Sequence, residues 1–219
     1  MSWPEVPSGV IASFALSLAV IAAGYIIGCF NTGYYLVRWF RSGDIREEGS
    51  GSTGATNVGR SLGTSGFLFT LAADTAKGAF AVWIALHFRL GSWALLLTIL
   101  AVIAGHVWPA QLRFRGGKGI TPLVGALLIA DYFVLMISLI LFLGLFAVLR
   151  RFTLSGLAAL ALTAPTLSWW DRPAGRAFGF LLLVAPVLYA HRQNLREDLT
   201  LIRGDAAGKG SAGTSLPEE

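Results

Sequence analysis

Lys118 follows a glycine pair in FRGGKG, Phe114 to Gly119, and two further polar segments stand like it at the edge of an apolar run. One is GSGSTGATN, from Gly49 to Asn57, with Arg46 before it and Arg60 after it. The other is HRQN, from His191 to Asn194. These are residue types for holding an anion. Glycines such as Gly49 and Gly51 let the backbone bend so that successive N–H groups face one concavity. Ser50, Ser52, Thr53, Thr56 and Asn57 can add side-chain donors. A Gly/Ser loop alone can equally be a flexible surface loop, and the flanking arginines favour the ligand.

The segment holding Gly116, Gly117, Lys118 and Gly119 is not a P-loop, because Leu112 stands where that motif needs its first glycine and Gly119 where it needs Ser or Thr. A short apolar run follows Lys118. A helix starting there would aim its unpaired N–H groups and positive dipole end at the same boundary as the lysine. The other reading is an anchoring lysine that snorkels to the interface. His191 and Asn194 lie three apart, so on a continued helix they share a face. His106, in GHVWPAQ, is a candidate base or an interfacial polar residue. Together the residues suit a phosphate-bearing ligand that must meet a lipid.

The elements positioning them are membrane helices. The chain is 55% hydrophobic and 13% charged, against about 25% charge in a soluble domain. Its single cysteine, Cys29, excludes an intramolecular disulfide and a cysteine metal cluster. Apolar runs at about 9–28, 64–88, 91–108, 132–149, 153–170 and 177–190 approach the roughly 20 residues that cross a bilayer. A shorter run covers 119–130. The first has no basic segment before it and no cleavage site after it, so it is read as a retained span.

Charge placement decides the topology. With seven spans and the N-terminus outside, 13 of the 17 Lys and Arg residues fall inside. Arg89, Arg172 and Arg176 fall outside, and Lys77 lies within a span. If 119–149 crossed once, Arg150 and Arg151 would land opposite the motifs, so the positive-inside rule favours seven spans. The expected fold is therefore all-α: a polytopic membrane protein with seven transmembrane helices, N-terminus outside and C-terminus cytoplasmic. All three motifs then share the cytoplasmic face. Residues 1–203 form one domain, and 204–219, rich in Gly, Ala and Ser, read as a disordered tail. Asp74 and Lys77, three apart within a span, read as a structural ion pair. His87, Trp169 and Trp170 read as interfacial.

Two other classes could use such residues. A transporter of an anionic metabolite usually shows two related halves, and no internal repeat is found. A head-group phosphotransferase needs several aspartates on one helix, which no span carries. A transporter or a non-catalytic binder of a phosphorylated or lipid metabolite remains the alternative to an enzyme.

In order, GSGSTGATNVGRSLG, DTAKG, GHVWPAQLRFRGGKG, RRFTLSGLAAL and HRQN resemble the acyl-phosphate-dependent glycerol-3-phosphate acyltransferases, the PlsY family of bacterial phospholipid synthesis. The likeness runs from about Gly28 to Asn194. It implies seven spans, a site on the cytoplasmic side of the bacterial inner membrane, and acyl transfer from acyl phosphate to the 1-hydroxyl of glycerol 3-phosphate. The products would be lysophosphatidic acid and phosphate. It implies catalytic roles for Ser50, Arg60, Lys118, His191 and Asn194. Substrate binding would fall to Gly49, Gly51, Ser52, Thr56, Asn57, His106, Gly116, Gly117 and Gly119. No metal, cofactor or nucleic acid is implied, and a monomer in membrane lipid is expected. The chain departs from the family pattern at Cys29, Asn31, Ser52 and Pro122, and its segment after HRQN is longer and more acidic.

Overall fold

The computed structural model describes residues 8–171, 174–196 and 200. The expected tail at 204–219 and the placements of Arg172, Arg203 and Lys209 lie outside the described residues. Within them the helices are α1 (Ser8–Cys29), α2 (Thr32–Arg41), α3 (Ala55–His87), α4 (Ser92–Val107), α5 (Ile120–Ala130), α6 (Tyr132–Leu149), α7 (Phe152–Asp171) and α8 (Ala174–Ala190). Two 3-10 turns, Ile45–Glu47 and Ala110–Leu112, complete the regular structure, and no strand occurs among the described residues.

Every apolar run read from the sequence is a helix here. Five helical segments are long and apolar enough to cross a membrane. The other two apolar helices are shorter, 11 residues in α5 and 17 in α8. Large side chains such as Phe69, Trp83, Ile140 and Val148 face outward, which suits lipid and not water.

Small residues set the closest helix pairs. A β-carbon on Gly28 would run into the backbone of Val102, and one on Gly105 into that of Tyr25, so α1 and α4 touch backbone to backbone. Gly78 and Gly125 do the same for α3 and α5. This is how helices associate where lipid removes the hydrophobic drive between them. The main core lies among α3 to α8, around Ile103, Leu123, Leu167 and Val187. A second cluster, Val37, Ile45 and Val58, binds α2 and the first 3-10 turn to the start of α3.

Three features differ from or refine the sequence reading. Helix α2 was not expected; ten residues ending in Arg41 do not read as a span. Helix α3 begins earlier than the run at 64, because Gly63 (φ 74°, ψ −167°) breaks it into 55–62 and 64–87. The first part carries Thr56, Asn57 and Arg60. Asp131, between the two runs, accepts from Val134 N at 3.2 Å to cap α6 and pairs with Arg176 at 2.6 Å. That clip ties the α5–α6 corner to the start of α8. The expected Asp74–Lys77 pair is formed, at 3.0 Å.

Candidate active site

The first motif is a loop folded around one side chain. Asn57 Nδ2 donates to the carbonyls of Ile45 (3.1 Å), Glu48 (2.9 Å) and Ser52 (2.9 Å), and its Oδ1 accepts from Ser50 N at 3.0 Å. Gly49 and Gly51 hold left-handed φ values of 54° and 66°, which glycine adopts without strain. Four of the loop N–H groups are turned away from the open nest that the sequence suggested. Those of Ser50, Gly51, Thr53 and Gly54 are each bonded within the protein. What the loop offers instead is side chains: Ser50, Ser52 and Thr56, beside the start of α3.

The second motif is tied to the first. Thr53 N donates to Gly116 O at 3.4 Å, and Gly116 N and Gly117 N bond back to Val107 O and His106 O at 3.1 and 2.9 Å. Gly117 has room for no β-carbon, because the His106 ring fills that position. The chain then turns at Gly119 (φ 85°) into α5. Lys118 thus stands just before a helix N-terminus, as its sequence position suggested. The third motif closes the site. After α8 the chain turns at His191 and is helical again over 192–196. Lys118 Nζ donates to Asn194 Oδ1 at 2.5 Å.

These segments line one cavity of about 510 Å³, a size ordinary for a small-molecule site. Ser50, Ser52, Thr56, Asn57, Arg60, His106, Lys118, Gly119, His191 and Asn194 all line it. Gly49, Gly51, Gly116 and Gly117 do not; they shape the loops behind it. The two arginines flanking the first loop also part company. Arg46 pairs with Asp44 at 2.6 Å, donates to Leu112 O at 2.6 Å and stacks on Tyr34 at 5.0 Å. That pairing holds the Asp44 carboxyl below its usual range. Arg60 is exposed at the cavity, with no hydrogen-bond or ion-pair partner among the described residues.

Burial pushes the His191 imidazole below its ordinary value of 6.5, and the nearby Lys118 charge adds to this. The bond between Nδ1 and Val187 O, 2.9 Å, works the other way. At neutral pH the ring is therefore uncharged. Nδ1 donates to the carbonyl, and Nε2 carries a lone pair.

The sequence reading missed the other half of the cavity. Its walls run from the polar end between α3, α5, α6 and α7, lined by Phe67, Leu71, Leu127, Met136, Leu139 and Phe142 among others. Thr121 and Thr153 are also on the lining. Thr153 lies within the RRFTLSGLAAL segment, where its hydroxyl was the available signal. The site is thus a cationic, hydroxyl-rich pocket joined to an apolar slot. Among the described residues no group of three or more His, Cys, Asp or Glu is arranged to hold a metal.

Known proteins resemble this chain in sequence and fold. Residues 18–200 match the glycerol-3-phosphate acyltransferase family. A glycerol-3-phosphate acyltransferase 1 of Desulfitobacterium hafniense (strain Y51) is 46% identical over 185 residues, 84% of this chain and 91% of that protein. A glycerol-3-phosphate acyltransferase of Synechococcus sp. (strain CC9902) is 36% identical, covering 91% of this chain and 98% of its own length. A crystal structure of PlsY, an integral membrane glycerol 3-phosphate acyltransferase in its glycerol 3-phosphate form, superposes with a TM-score of 0.76. It is 30% identical, over 84% of this chain and 92% of PlsY. The lysophosphatidic acid form of PlsY superposes with a TM-score of 0.72 at 29% identity. The chain belongs to the glycerol-3-phosphate acyltransferase family.

Proposed function

We propose that this protein transfers an acyl group from an acyl phosphate to the 1-hydroxyl of glycerol 3-phosphate, giving lysophosphatidic acid and inorganic phosphate. The observation that carries this is the union of Arg60 and Lys118 with an apolar slot in one cavity. An acyl phosphate is an anionic head on an apolar chain, and the acceptor is a second phosphate without one. Related proteins named for glycerol 3-phosphate, and the PlsY forms with glycerol 3-phosphate and lysophosphatidic acid, support the acceptor and the product.

The acceptor hydroxyl attacks the acyl carbonyl, a new ester C–O bond forms, and the bond from the carbonyl carbon to the phosphate oxygen breaks. Phosphate departs with the electron pair. The hydroxyl proton goes to a phosphate oxygen of a substrate, so no protein base is needed, and the direct attack forms no acyl-enzyme. Phosphate is a good leaving group, and positioning with charge stabilisation supplies the rest. Arg60 and Lys118 hold the anions. Ser50, Ser52 and Thr56 give neutral donors, and Asn194 holds Lys118.

The positive-inside distribution supports seven crossings with the site on the cytoplasmic side of the cell membrane, with α5 and α8 crossing as short helices. We expect a monomer. The test uses purified protein with palmitoyl phosphate, reading phosphate release with and without glycerol 3-phosphate. Acceptor-dependent release, insensitive to EDTA, is expected. Efficient transfer from acyl-CoA with acyl phosphate inert would overturn the proposal.

A further inference from the structure

Asp74 and Lys77 do more than pair. Both are buried within the membrane part of α3, where unpaired charge is costly. Lys77 Nζ lies 3.0 Å from Asp74 Oδ1, 3.1 Å from Gly28 O, 2.7 Å from Phe30 O and 2.8 Å from His106 Nδ1. Asp74 Oδ1 also accepts from Thr32 Oγ1 at 3.1 Å. An ammonium group only donates, and the two carbonyls and the carboxylate only accept. That company marks Lys77 as the charged donor to His106. Nδ1 of His106 then holds the lone pair, and the ring proton sits on Nε2.

The two edges of the ring face different places. Nδ1 faces Lys77 and the carbonyls at the end of α1. Nε2 lies at Gly117, whose missing side chain leaves the ring its place, and His106 O accepts the Gly117 N–H. The ring also lines the same cavity as Lys118. A pair that only glued α1 to α3 would satisfy the ammonium on the carboxylate and the two carbonyls, and the carboxylate on the ammonium and Thr32, and needs no histidine. Here the same ammonium reaches a ring that borders the site.

We propose that Asp74 and Lys77 are positioning residues for acyl transfer: they hold His106 as the neutral Nε2–H form, and that N–H donates to a phosphate oxygen at the polar end of the cavity. The donor adds no charge to a pocket already holding Arg60 and Lys118. It is also fixed before substrate arrives, which is the condition for stabilising developing charge without reorganisation. This rests on the reading of the cavity as a phosphate site.

The first measurement needs no variant of the network. The chain has three histidines, so ¹⁵N-histidine-labelled protein in lipid discs gives three imidazole pairs, with His106 assigned by its loss in His106→Gln. The expected result is a proton on Nε2 of His106, whose signal shifts on adding glycerol 3-phosphate or inorganic phosphate. A proton on Nδ1, or no shift at saturating ligand, would overturn the proposal. The second measurement is kinetic. A glutamine amide reaches the Nε2 position, whereas asparagine reaches only Nδ1. His106→Gln should keep kcat/KM within about tenfold, and His106→Asn should lose about a hundredfold, the scale for one preorganised donor. The double variant Asp74→Asn with Lys77→Met removes both charges together. It should show mixed His106 tautomers and about a hundredfold lower kcat/KM. Equal activity of the Gln and Asn variants, or full activity of the double variant, would return the ion pair to a structural role. If acyl phosphate is not the donor, the unmodified protein will not turn over, while the tautomer and the phosphate-induced shift stay readable.

Discussion

The Lys118 ammonium donates to the Asn194 side-chain oxygen across 2.5 Å, joining the N-terminus of α5 to the segment after α8. The bond fixes a flexible four-carbon stem at the helix end where an anion is favoured. Lys118→Ala should lower kcat/KM by about 10²–10³, the scale of one electrostatic contact to developing charge, while the protein still inserts and purifies. Asn194→Ala leaves the charge but frees the stem, so a smaller loss of about tenfold is expected, or about 1.4 kcal/mol. Steady-state kinetics on both variants decides this. Normal turnover in Lys118→Ala would make the lysine an interfacial anchor.

His191 gives a pH prediction whose sign is fixed by its surroundings. Burial first, then the positive charge of Lys118, disfavours the imidazolium and holds its titration below 6.5. Removing that charge must let the ring protonate more readily, so the midpoint in Lys118→Met should rise toward 6.5. Substrate phosphates titrate near pH 6 themselves, so the rate profile alone is ambiguous. An NMR titration of the His191 ring without substrate separates the two. A midpoint at or above the ordinary value in the unmodified protein, or a fall in Lys118→Met, would contradict this account.

Asn57 should tolerate no carboxylate. Its Nδ2 faces the carbonyls of Ile45, Glu48 and Ser52. In Asn57→Asp an oxygen would face them instead, with an unmet hydrogen-bonding cost of about 1–3 kcal/mol or more for the added charge. The loop, not the bundle, should give way, because the main core lies elsewhere. We expect kcat/KM to fall by about a hundredfold or more with thermal unfolding of the helices little changed. Wild-type kinetics in this variant would mean that the loop holds its shape without the amide.

The helices were legible because lipid demands long apolar runs, and five of the seven apolar stretches stand out by length alone. The short α5 was legible as an apolar run, and the expectation that it crosses came from charge, since a single crossing by 119–149 would put Arg150 and Arg151 opposite the motifs. Helix α2 was not, because it is ten residues with two arginines near its end, and its burial against Ile45 and Val58 is a tertiary fact. At the site, residue type found Lys118, Arg60, His191 and Asn194. It could not separate Arg60, which faces the cavity, from Arg46, which an aspartate two residues away draws off. Nor could it show that the amide of Asn57 bonds inward. The apolar slot was hidden for a different reason: its lining residues look like any lipid-facing Leu or Phe until α3, α5, α6 and α7 are brought together.

Gly63 makes the placement of Arg60 testable through the backbone alone. Its φ of 74° and ψ of −167° lie where only glycine is comfortable. A β-carbon there would meet nothing within 4 Å, so any effect of Gly63→Ala comes from conformation and not from collision. The variant must either keep the kink at about 1–3 kcal/mol of strain or straighten α3. Straightening would swing the 55–62 segment, and with it Thr56 and Arg60, away from Lys118. We therefore expect a folded protein whose kcat/KM is about tenfold lower or worse, mostly through weaker binding of the anions that Arg60 meets. Gly91→Ala is the matched control: its φ is −64°, its β-carbon position is also open, and it caps α4. It should leave kinetics unchanged. Wild-type kcat/KM in Gly63→Ala would show that Arg60 reaches its ligand without the kink.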